Sequence, residues 1–187
     1  KKHDHLKALK ISEDFSLNEI VSRLLVQRNI ELDDINLFLN PKIKNHMPNP
    51  NLINDMEKAV KRIVECIMQK KTIGIFGDYD VDGATSTALI AKYLFKINRK
   101  VNIYIPDRKK EGYGPSISGF QKLIDQNSNV IITVDCGTSS FDSIKFSQEK
   151  LVDVIVLDHH QSDVKLPEAH AIVNPNKLGD NSKLNYL

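Results

Sequence analysis

The sequence has few cysteines and no long apolar run, and each absence excludes a class of protein. Its 187 residues include only two cysteines, Cys66 and Cys136, too few and too far apart for a disulfide framework or a thiolate zinc site. The longest apolar runs, such as Val154–Leu157, are far shorter than the roughly 20 residues of a membrane span. The N-terminal Lys-Lys-His-Asp-His is followed by no apolar stretch, so we predict no signal peptide and a cytoplasmic, reducing location.

Net charge is also nearly absent. Lysine and arginine total 26 against 24 aspartates and glutamates, which gives a formal net charge of +2. This balance excludes a polycation that binds nucleic acid through bulk charge alone, but it allows a basic patch beside an acidic site. With 41% hydrophobic and 27% charged residues and no internal repeat, the chain has the composition of a globular protein with one main domain.

The first part of the chain has a helical pattern. Ser16–Glu19 forms a capping box before residues with helical apolar spacing, and Leu32–Leu39 predicts a second short helix. The stretch 42–50, rich in proline and asparagine, predicts a connector. We therefore expect a helical segment and connector over residues 1–50 and an α/β core over residues 51–187.

Further along the chain, short β-branched runs alternate with helical segments. This alternation predicts an α/β fold with an open, mostly parallel sheet and helices on both faces. Right-handed crossovers then place the carboxyl ends of all the strands at one edge, where such sheets bind ligands. The predicted strands cover 73–76, 101–105, 130–134, 152–157 and 171–173, and the predicted helices cover 53–69, 84–97, 116–125 and 141–150.

Acidic and imidazole side chains follow three of the predicted strands. Gly77–Gly83 reads Gly-Asp-Tyr-Asp-Val-Asp-Gly after the first strand, and Asp135–Gly137 and Asp158–His160 follow two later ones. Because the strand ends share one edge, five carboxylates and two imidazoles should meet there, and their mutual repulsion requires a cation. Oxygen ligands with one or two imidazoles favour Mn²⁺ or Mg²⁺. The sequence therefore predicts a divalent metal site with room for two ions.

Other interpretations exist for these acidic residues. A single aspartate such as Asp82 or Asp158 is commonly an N-cap, but a helix has one N-cap and three alternating aspartates exceed that need. An EF-hand is excluded because its twelfth position, counted from Asp78, is Leu89 rather than glutamate. A strand followed by Asp-x-Asp also resembles the haloacid-dehalogenase phosphatases. That rival does not account for Asp158–His160.

In their order along the chain, the motifs resemble those of the DHH phosphoesterases. The segments that carry the resemblance are Gly77–Gly83, Glu111–Pro115, Asp135–Gly137 and Asp158–Gln161. The forms Asp-Tyr-Asp-x-Asp-Gly and Glu-Gly-Tyr-Gly are similar to those of the RecJ family of bacterial single-strand DNA exonucleases. The resemblance covers about residues 16–176. The sequence differs from the small oligoribonucleases and manganese pyrophosphatases of the superfamily, which usually carry a histidine at the position of Phe76.

The resemblance implies a role for each of these side chains. Two Mn²⁺ or Mg²⁺ ions would be held by Asp80, Asp82, Asp135 and His159, with Asp135 as the bridge. The catalytic group would be completed by His160, which faces the scissile phosphate, and by Asp78 and Asp158 as outer ligands or orienting residues. The family's core also uses an aspartate from a later motif. This chain is therefore expected to be an N-terminal fragment of a longer enzyme, truncated in its core and of low activity by itself.

A basic stretch follows the second predicted strand and falls on the same edge as the acidic groups. Its cations would contact the phosphates of a nucleic acid, and the tyrosine and glycines that follow would offer a flexible turn for stacking on a base. A serine at the start of the next helix would add an N-terminal anion site. A solvated surface, loop packing and helix capping are the alternative explanations. The predicted substrate contacts are Arg108, Lys109, Lys110, Tyr113, Gly114 and Ser116.

As a function, the resemblance implies metal-dependent phosphodiester hydrolysis. The chain would belong to a 5′-to-3′ exonuclease specific for single-stranded DNA that acts in DNA repair and recombination. Single-stranded DNA is the expected partner, with a helicase or single-strand-binding protein as a candidate second one and no membrane; the oligomeric state is left open. Two alternatives remain: a phosphodiesterase of short oligonucleotides or cyclic dinucleotides, and a non-catalytic nucleic-acid-binding module.

Overall fold

Residues 2–185 are described by the structure, a computed structural model. The chain divides between Pro48 and Asn49 into a small and a large unit. Among the described residues, no helix is long and apolar enough to cross a membrane. Cys66 and Cys136 are free thiols, and both are buried.

The small unit is helical and closes around a core of Ile11, Leu25 and Ile35. The predicted helix over 32–39 begins as a 3₁₀ turn, and the predicted connector contains one further helical turn. A first helix that precedes the capping box was not predicted. The elements are α1 (Lys2–Asp14), α2 (Glu19–Gln27), the 3₁₀ turn Leu32–Asp34, α3 (Ile35–Leu39) and α4 (Ile43–His46).

The cap of α2 differs from the predicted one. Asn18 is the N-cap, and its side-chain oxygen accepts a hydrogen bond of 2.9 Å from the N–H of Ile20. Ser16, the expected capping residue, has a left-handed backbone with a φ of 51° and lies in the turn after α1. The capping box was therefore wrong by two residues. Asparagine and serine are equally good N-caps, so residue type alone could not choose between them.

The large unit contains the expected open sheet, and every strand pair is parallel. The order in the sheet is β2-β1-β3-β4-β5, which confirms the parallel α/β prediction. Each predicted strand is present within about two residues of its expected position. The strands are β1 (Thr72–Gly77), β2 (Val101–Tyr104), β3 (Ser128–Val134), β4 (Asp153–Leu157) and β5 (Ala171–Val173).

Helices cover both faces of this sheet, as expected. The alternation of side chains along β3 divides the core, because Ile132 packs towards one layer and Ile131 towards the other. Burying each such side chain stabilises the fold by about 1.5–3 kcal/mol. The helices are α5 (Met56–Met68), α6 (Val81–Lys96), α7 (Arg108–Glu111), α8 (Ile117–Asp125) and α9 (Phe141–Glu149), with a 3₁₀ turn at Pro50–Leu52.

The two layers use different helices. Ala59 of α5 and Leu94 of α6 belong to one apolar cluster, whereas Phe120 of α8 and Ile144 of α9 belong to the other. The short helix α7 was not predicted, since four residues are too few to show a helical period. The two-layer packing fixes the strand ends, and it is at those ends that the polar side chains collect.

Candidate metal centre

Four polar residues occupy equivalent positions at the carboxyl ends of neighbouring strands. Gly77 pairs with Val134, Val134 with Leu157, and Leu157 with Val173. The residues that follow these last strand positions are Asp78, Asp135, Asp158 and Asn174. The register of the sheet therefore places one polar side chain after each of β1, β3, β4 and β5. The first three are the predicted aspartates, and the asparagine was not predicted.

One group of carboxylates joins the ends of β1 and β3. Oxygens of Asp78, Asp80 and Asp135 lie within 4.8 Å of one another, close enough for one cation to bind all three. Asp80 is also the N-cap of α6, where its Oδ1 accepts the N–H of Gly83 at 3.0 Å. That hydrogen bond lowers the pKa of Asp80 below its usual value.

Asp82 is the predicted ligand that the structure places apart. It lies exposed in the first turn of α6 and belongs to neither group of candidate ligands found among residues 2–185. The interpretation of Asp82 as the N-cap was wrong, because Asp80 fills that position. Both aspartates stand near the helix start, so the sequence could not distinguish them.

A second group adds the two imidazoles. Ligand atoms of Asp135, His159 and His160 lie within 4.8 Å of one another, and the Nε2 atom of His159 is 3.1 Å from Oδ1 of Asp135. Asp135 thus belongs to both groups, and its role as the bridge between two ions stays a prediction. Its backbone is left-handed, with a φ of 62°, a conformation that non-glycine residues rarely adopt and that clusters at functional sites.

Two carboxylate oxygens in these groups are buried without a hydrogen-bond partner among the described residues. They are Oδ2 of Asp78 and Oδ2 of Asp135, in side chains of residues that are only 1% and 7% exposed. Burial, together with the hydrogen bond and negative charge of Asp80, raises the pKa of Asp135 to about 6. Buried, unpartnered carboxylates are costly unless a cation binds them. The donor set of oxygens and imidazoles fits Mn²⁺ or Mg²⁺.

Asp158 has the opposite surroundings. Its Oδ2 accepts the N–H and the hydroxyl of Thr138, at 3.0 and 2.6 Å. Its Oδ1 accepts the N–H of His159, the N–H of His160 and the Nδ1 of His160, at 2.8, 3.2 and 2.7 Å. Burial raises the pKa of Asp158, but these hydrogen bonds outweigh burial and hold the pKa below its usual value. With its oxygens thus occupied, Asp158 orients the two histidines.

His160 lies between Asp158 and Tyr113. A carboxylate only accepts hydrogen bonds, so the Nδ1 that faces Asp158 carries a proton. Burial lowers the pKa of His160, but the hydrogen bond and charge of Asp158 outweigh it and raise that pKa. The Tyr113 hydroxyl is 3.2 Å from Nε2 of His160. Tyr113, expected to stack on a base, is thereby also brought to the imidazoles.

The predicted basic contacts are only partly brought to the metal groups. The guanidinium of Arg108 lies 5.0 Å from the ring centre of Tyr79, which directly follows Asp78. Lys110 instead approaches Asp107 at 3.4 Å, and the backbone N–H of Lys109 donates to the Asp107 side chain. Arg108 is therefore the cation of this cluster that the structure connects most directly to the strand ends.

Glu111 organises the loop that carries these cations, and sequence reasoning gave it no role. Its carboxylate accepts the Tyr104 hydroxyl at 2.6 and 2.7 Å, the Asp107 N–H at 3.1 Å and the Ser116 hydroxyl at 3.3 Å. The Tyr104 hydrogen bond lowers the pKa of Glu111. Ser116 also caps α8, since its Oγ accepts the N–H of Gly119 at 3.0 Å, so its predicted phosphate contact competes with a capping role.

Gly114 is the remaining predicted substrate contact. It follows Tyr113 with a φ of 78°, and Gly112 precedes Tyr113 with a φ of 80°. Both values lie in the region that glycine adopts without strain. The turn that presents Tyr113 thus depends on a glycine on each side.

A five-stranded parallel sheet with carboxylates and imidazoles grouped at its carboxyl edge defines an α/β protein with a candidate two-metal centre. The family model described as "DHH family, N-terminal domain" matches residues 72–185. The chain belongs to the DHH family.

Among curated proteins, the chain is similar to single-stranded-DNA-specific exonucleases named RecJ. It is 37% identical to that of Bacillus subtilis over 177 residues, which cover 94% of this chain and 22% of the relative. It is 38% identical to that of Haemophilus influenzae over 175 residues, which cover 91% of this chain and 29% of the relative. The chain thus spans less than a third of the length of these relatives.

Two solved structures share the fold. A structure of exonuclease RecJ bound to manganese has a TM-score of 0.63 and 32% identity, with 68% of this chain and 33% of that chain covered. The structure of RecJ from Thermus thermophilus in complex with Mn²⁺ has a TM-score of 0.69 over 94% of this chain and 24% of that one. At 21% identity, the second comparison supports the fold alone.

Proposed function

We propose that this chain forms the metal-binding part of a nuclease that hydrolyses single-stranded DNA from its 5′ end, in DNA repair and recombination. The observation that carries the proposal is the pair of candidate ligand groups that share Asp135, in which two buried carboxylate oxygens have no hydrogen-bond partner among residues 2–185. The printed names of the RecJ relatives supply the substrate class, single-stranded DNA. The 5′-to-3′ direction follows from the resemblance of the motifs.

Two divalent cations, Mn²⁺ or Mg²⁺, are the proposed cofactors. Asp80, Asp135 and His159 are the predicted ligands supported by their grouping, and Asp78 adds a third carboxylate to the set. Asp82 stays a predicted ligand, two residues from Asp80. Such ions, when bound, supply charge neutralisation, an activated water and stabilisation of the phosphate oxygens.

The chain's own residues then bind and orient the substrate. Asp158 holds the ring of His160 through a hydrogen bond to Nδ1 and so orients this ring, beside the hydroxyl of Tyr113, for contact with the scissile phosphate. Arg108 and its neighbouring lysines contact phosphates and set the position of the strand, since such contacts carry no sequence information. Tyr113 stacks on a base, an interaction available only in an unpaired strand and worth about 1–3 kcal/mol.

A helicase or a single-strand-binding protein is the proposed second partner. A nuclease that acts on unpaired strands needs duplex DNA to be opened for it. This proposal is supported by the substrate class alone and is not argued from a binding surface among the described residues.

The test is metal-dependent release of mononucleotides. We would incubate the protein with Mn²⁺ and an end-labelled single strand, the matching duplex, or a dinucleotide. Release from the single strand alone, lost in Asp135→Ala and kept in Asp142→Ala, is the expected result. Asp142 is an exposed aspartate in the first turn of α9, and it serves as the matched control.

Two other outcomes would contradict the proposal. Cleavage of the dinucleotide alone would identify a small-substrate phosphodiesterase. Binding of the single strand without turnover in a protein of full RecJ length, with Mn²⁺ or Mg²⁺, would identify a non-catalytic module. A 3′-labelled strand compared with a 5′-labelled strand decides the direction.

A further inference from the structure

Behind the two histidines lies a buried pair of polar side chains, Thr138 and Asn174. Thr138 is 2% exposed and Asn174 is fully buried. Thr138 lies in the loop between β3 and α9, and Asn174 directly follows β5. Neither residue belongs to the groups of candidate metal ligands, and neither has a role in the proposed hydrolysis.

Asn174 ties the histidine loop to the edge of the sheet. Its side-chain Nδ2 donates to the backbone carbonyl of His160 and to Oγ1 of Thr138, both at 2.9 Å. Its Oδ1 accepts the N–H of Asn176 at 2.8 Å, and the side chain of Asn176 donates to the backbone carbonyl of His159 at 2.5 Å. The backbone carbonyls of both histidines, which follow β4, thus accept hydrogen bonds from two asparagines that follow the neighbouring strand β5.

The hydrogen bonds between these groups have a fixed direction. The Asn174 amide nitrogen can only donate and the Asp158 carboxylate can only accept. The Thr138 hydroxyl between them therefore accepts from Asn174 and donates to Asp158, at 2.6 Å. Asp158 in turn accepts Nδ1–H of His160. Hydrogen bonds linked head to tail in a buried site strengthen one another.

We propose that Thr138 and Asn174 are positioning residues that fix the orientation of the His160 ring and the histidine loop through Asp158. The inference rests on the proposed function only in taking this loop as part of the metal centre. It assigns to the sequence Val173-Asn174-Pro175 a function beyond ending a strand. Residues that orient metal-binding histidines through such contacts typically change metal affinity about 10- to 100-fold when removed.

The experiment compares three substitutions of buried threonines in this chain. Thr138→Val removes the hydroxyl with little change of shape, and Thr138→Ser restores it. Thr133→Val is the matched control, because the buried hydroxyl of Thr133 has no hydrogen-bond partner among the described residues. Mn²⁺ affinity is measured by electron paramagnetic resonance of the free ion. The imidazole nitrogens are observed separately by ¹H–¹⁵N NMR of the metal-free protein.

Thr138→Val should weaken Mn²⁺ binding about 10-fold or more and shift the Nδ1 resonance of His160. Thr138→Ser should restore both values, and Thr133→Val should change neither. A purely structural role would lower stability without separating valine from serine in these two readouts. Asn174→Ala should have the same effect as Thr138→Val, because it removes the other member of the same series of hydrogen bonds. If Thr138→Val does not fold, Thr138→Ala takes its place.

Failure of this inference differs from failure of the proposed function. If the unmodified chain binds no Mn²⁺, the proposed metal centre is wrong, while the NMR comparison still decides the positioning roles. The other outcome is that the unmodified chain binds Mn²⁺ and that Thr138→Val and Asn174→Ala have the same affinity and the same Nδ1 resonance. The positioning roles would then be wrong, and the metal centre would stand.

Discussion

The ends of β3 and β4 carry the same residue in neighbouring positions, and the two aspartates behave in opposite ways. Asp135 and Asp158 are 7% and 9% exposed. Asp158 accepts hydrogen bonds from Thr138, His159 and His160, whereas Oδ2 of Asp135 accepts none from the described residues. Surroundings lower the pKa of Asp158 and raise that of Asp135 to about 6. The supply of hydrogen-bond donors, more than the residue type, separates an orienting carboxylate from a candidate metal ligand.

The largest expected effect is on activity at the β3 end. Asp135→Asn should reduce Mn²⁺-dependent hydrolysis of single-stranded DNA on the order of 10³-fold, because metal-held charge stabilisation contributes several kcal/mol. Initial rates with a labelled single strand measure it in a protein of full RecJ length. Activity within tenfold of the unmodified protein would remove Asp135 from the centre.

The largest expected effect on stability is at the β4 end. Asp158→Ala should lower the free energy of unfolding of the metal-free protein by about 3 kcal/mol, since it leaves buried donors of Thr138 and the histidine loop unpaired. Asp135→Asn should instead leave it unchanged or raise it by about 1 kcal/mol, because it relieves repulsion with Asp80. Urea unfolding in EDTA compares them. Equal losses in the two variants would end the distinction between these aspartates.

Added Mn²⁺ should make the free energy of unfolding sensitive to Asp135 as well. Mn²⁺ at 100 times its dissociation constant should stabilise the unmodified chain by about 2.7 kcal/mol. Asp135→Asn should lose most of that gain. Thermal unfolding with and without Mn²⁺ measures the difference. A melting temperature that does not respond to Mn²⁺ would contradict a metal site in this chain.

A substitution that pushes on the backbone of Asp78, at the end of β1, tests whether the position of these carboxylates sets Mn²⁺ affinity. A Cβ at Gly83 would lie 2.5 Å from the backbone oxygen of Asp78, so Gly83→Ala should cost about 1–3 kcal/mol and also weaken Mn²⁺ binding. Gly119→Ala is the control, because its Cβ would meet the rings of Phe76 and Tyr104 at 2.6 and 2.7 Å and not the backbone of Asp78. It should lose stability with unchanged Mn²⁺ affinity. Similar affinity losses in both variants would indicate a general effect of unfolding.

The smallest effect concerns Asp55, a carboxylate paired with Lys177 and distant in sequence from the ends of β3 and β4. Burial raises the pKa of Asp55, but hydrogen bonds from Lys177 and the Ile172 N–H outweigh it and lower the pKa below 3.8. The stability from this pair is therefore fully present above that value and is lost as the pH falls below it. Asp55→Asn should reduce this acid-dependent loss by at most about 1 kcal/mol, since Asp55 is partly exposed. Urea unfolding at pH 3 and pH 6 tests it, and an identical pH dependence in Asp55→Asn would exclude the contribution.

The parallel sheet could be read from the sequence because buried parallel strands are continuous β-branched runs, as in Val130–Val134. The acidic groups could be read as well, since parallel strands bring their carboxyl ends to one edge. Local capping was less accessible. Asp80 rather than Asp82 caps α6, and Asn18 rather than Ser16 caps α2. Capping depends on backbone angles, and the residue type does not reveal those angles where two nearby polar residues are equally suited to cap.

Glu111 and Asn174 were beyond sequence reasoning for a different reason. The partners of Asn174 lie in other segments, Thr138 36 residues away and the loop of His160. Those of Glu111 are within seven residues, but no periodic pattern predicts that these side chains turn towards one carboxylate. An asparagine directly after a predicted strand was the one available signal, and taken alone it is equally typical of a turn.

The sequence by itself determined the class of fold, the edge of the sheet that carries the polar groups and the chemistry of those groups, because apolar period and side-chain type are local properties. The tertiary structure decided which aspartate is left unpartnered and which is filled with hydrogen bonds. That difference depends on the register of neighbouring strands and on donors such as Thr138, which arrive from loops that only the folded chain brings together.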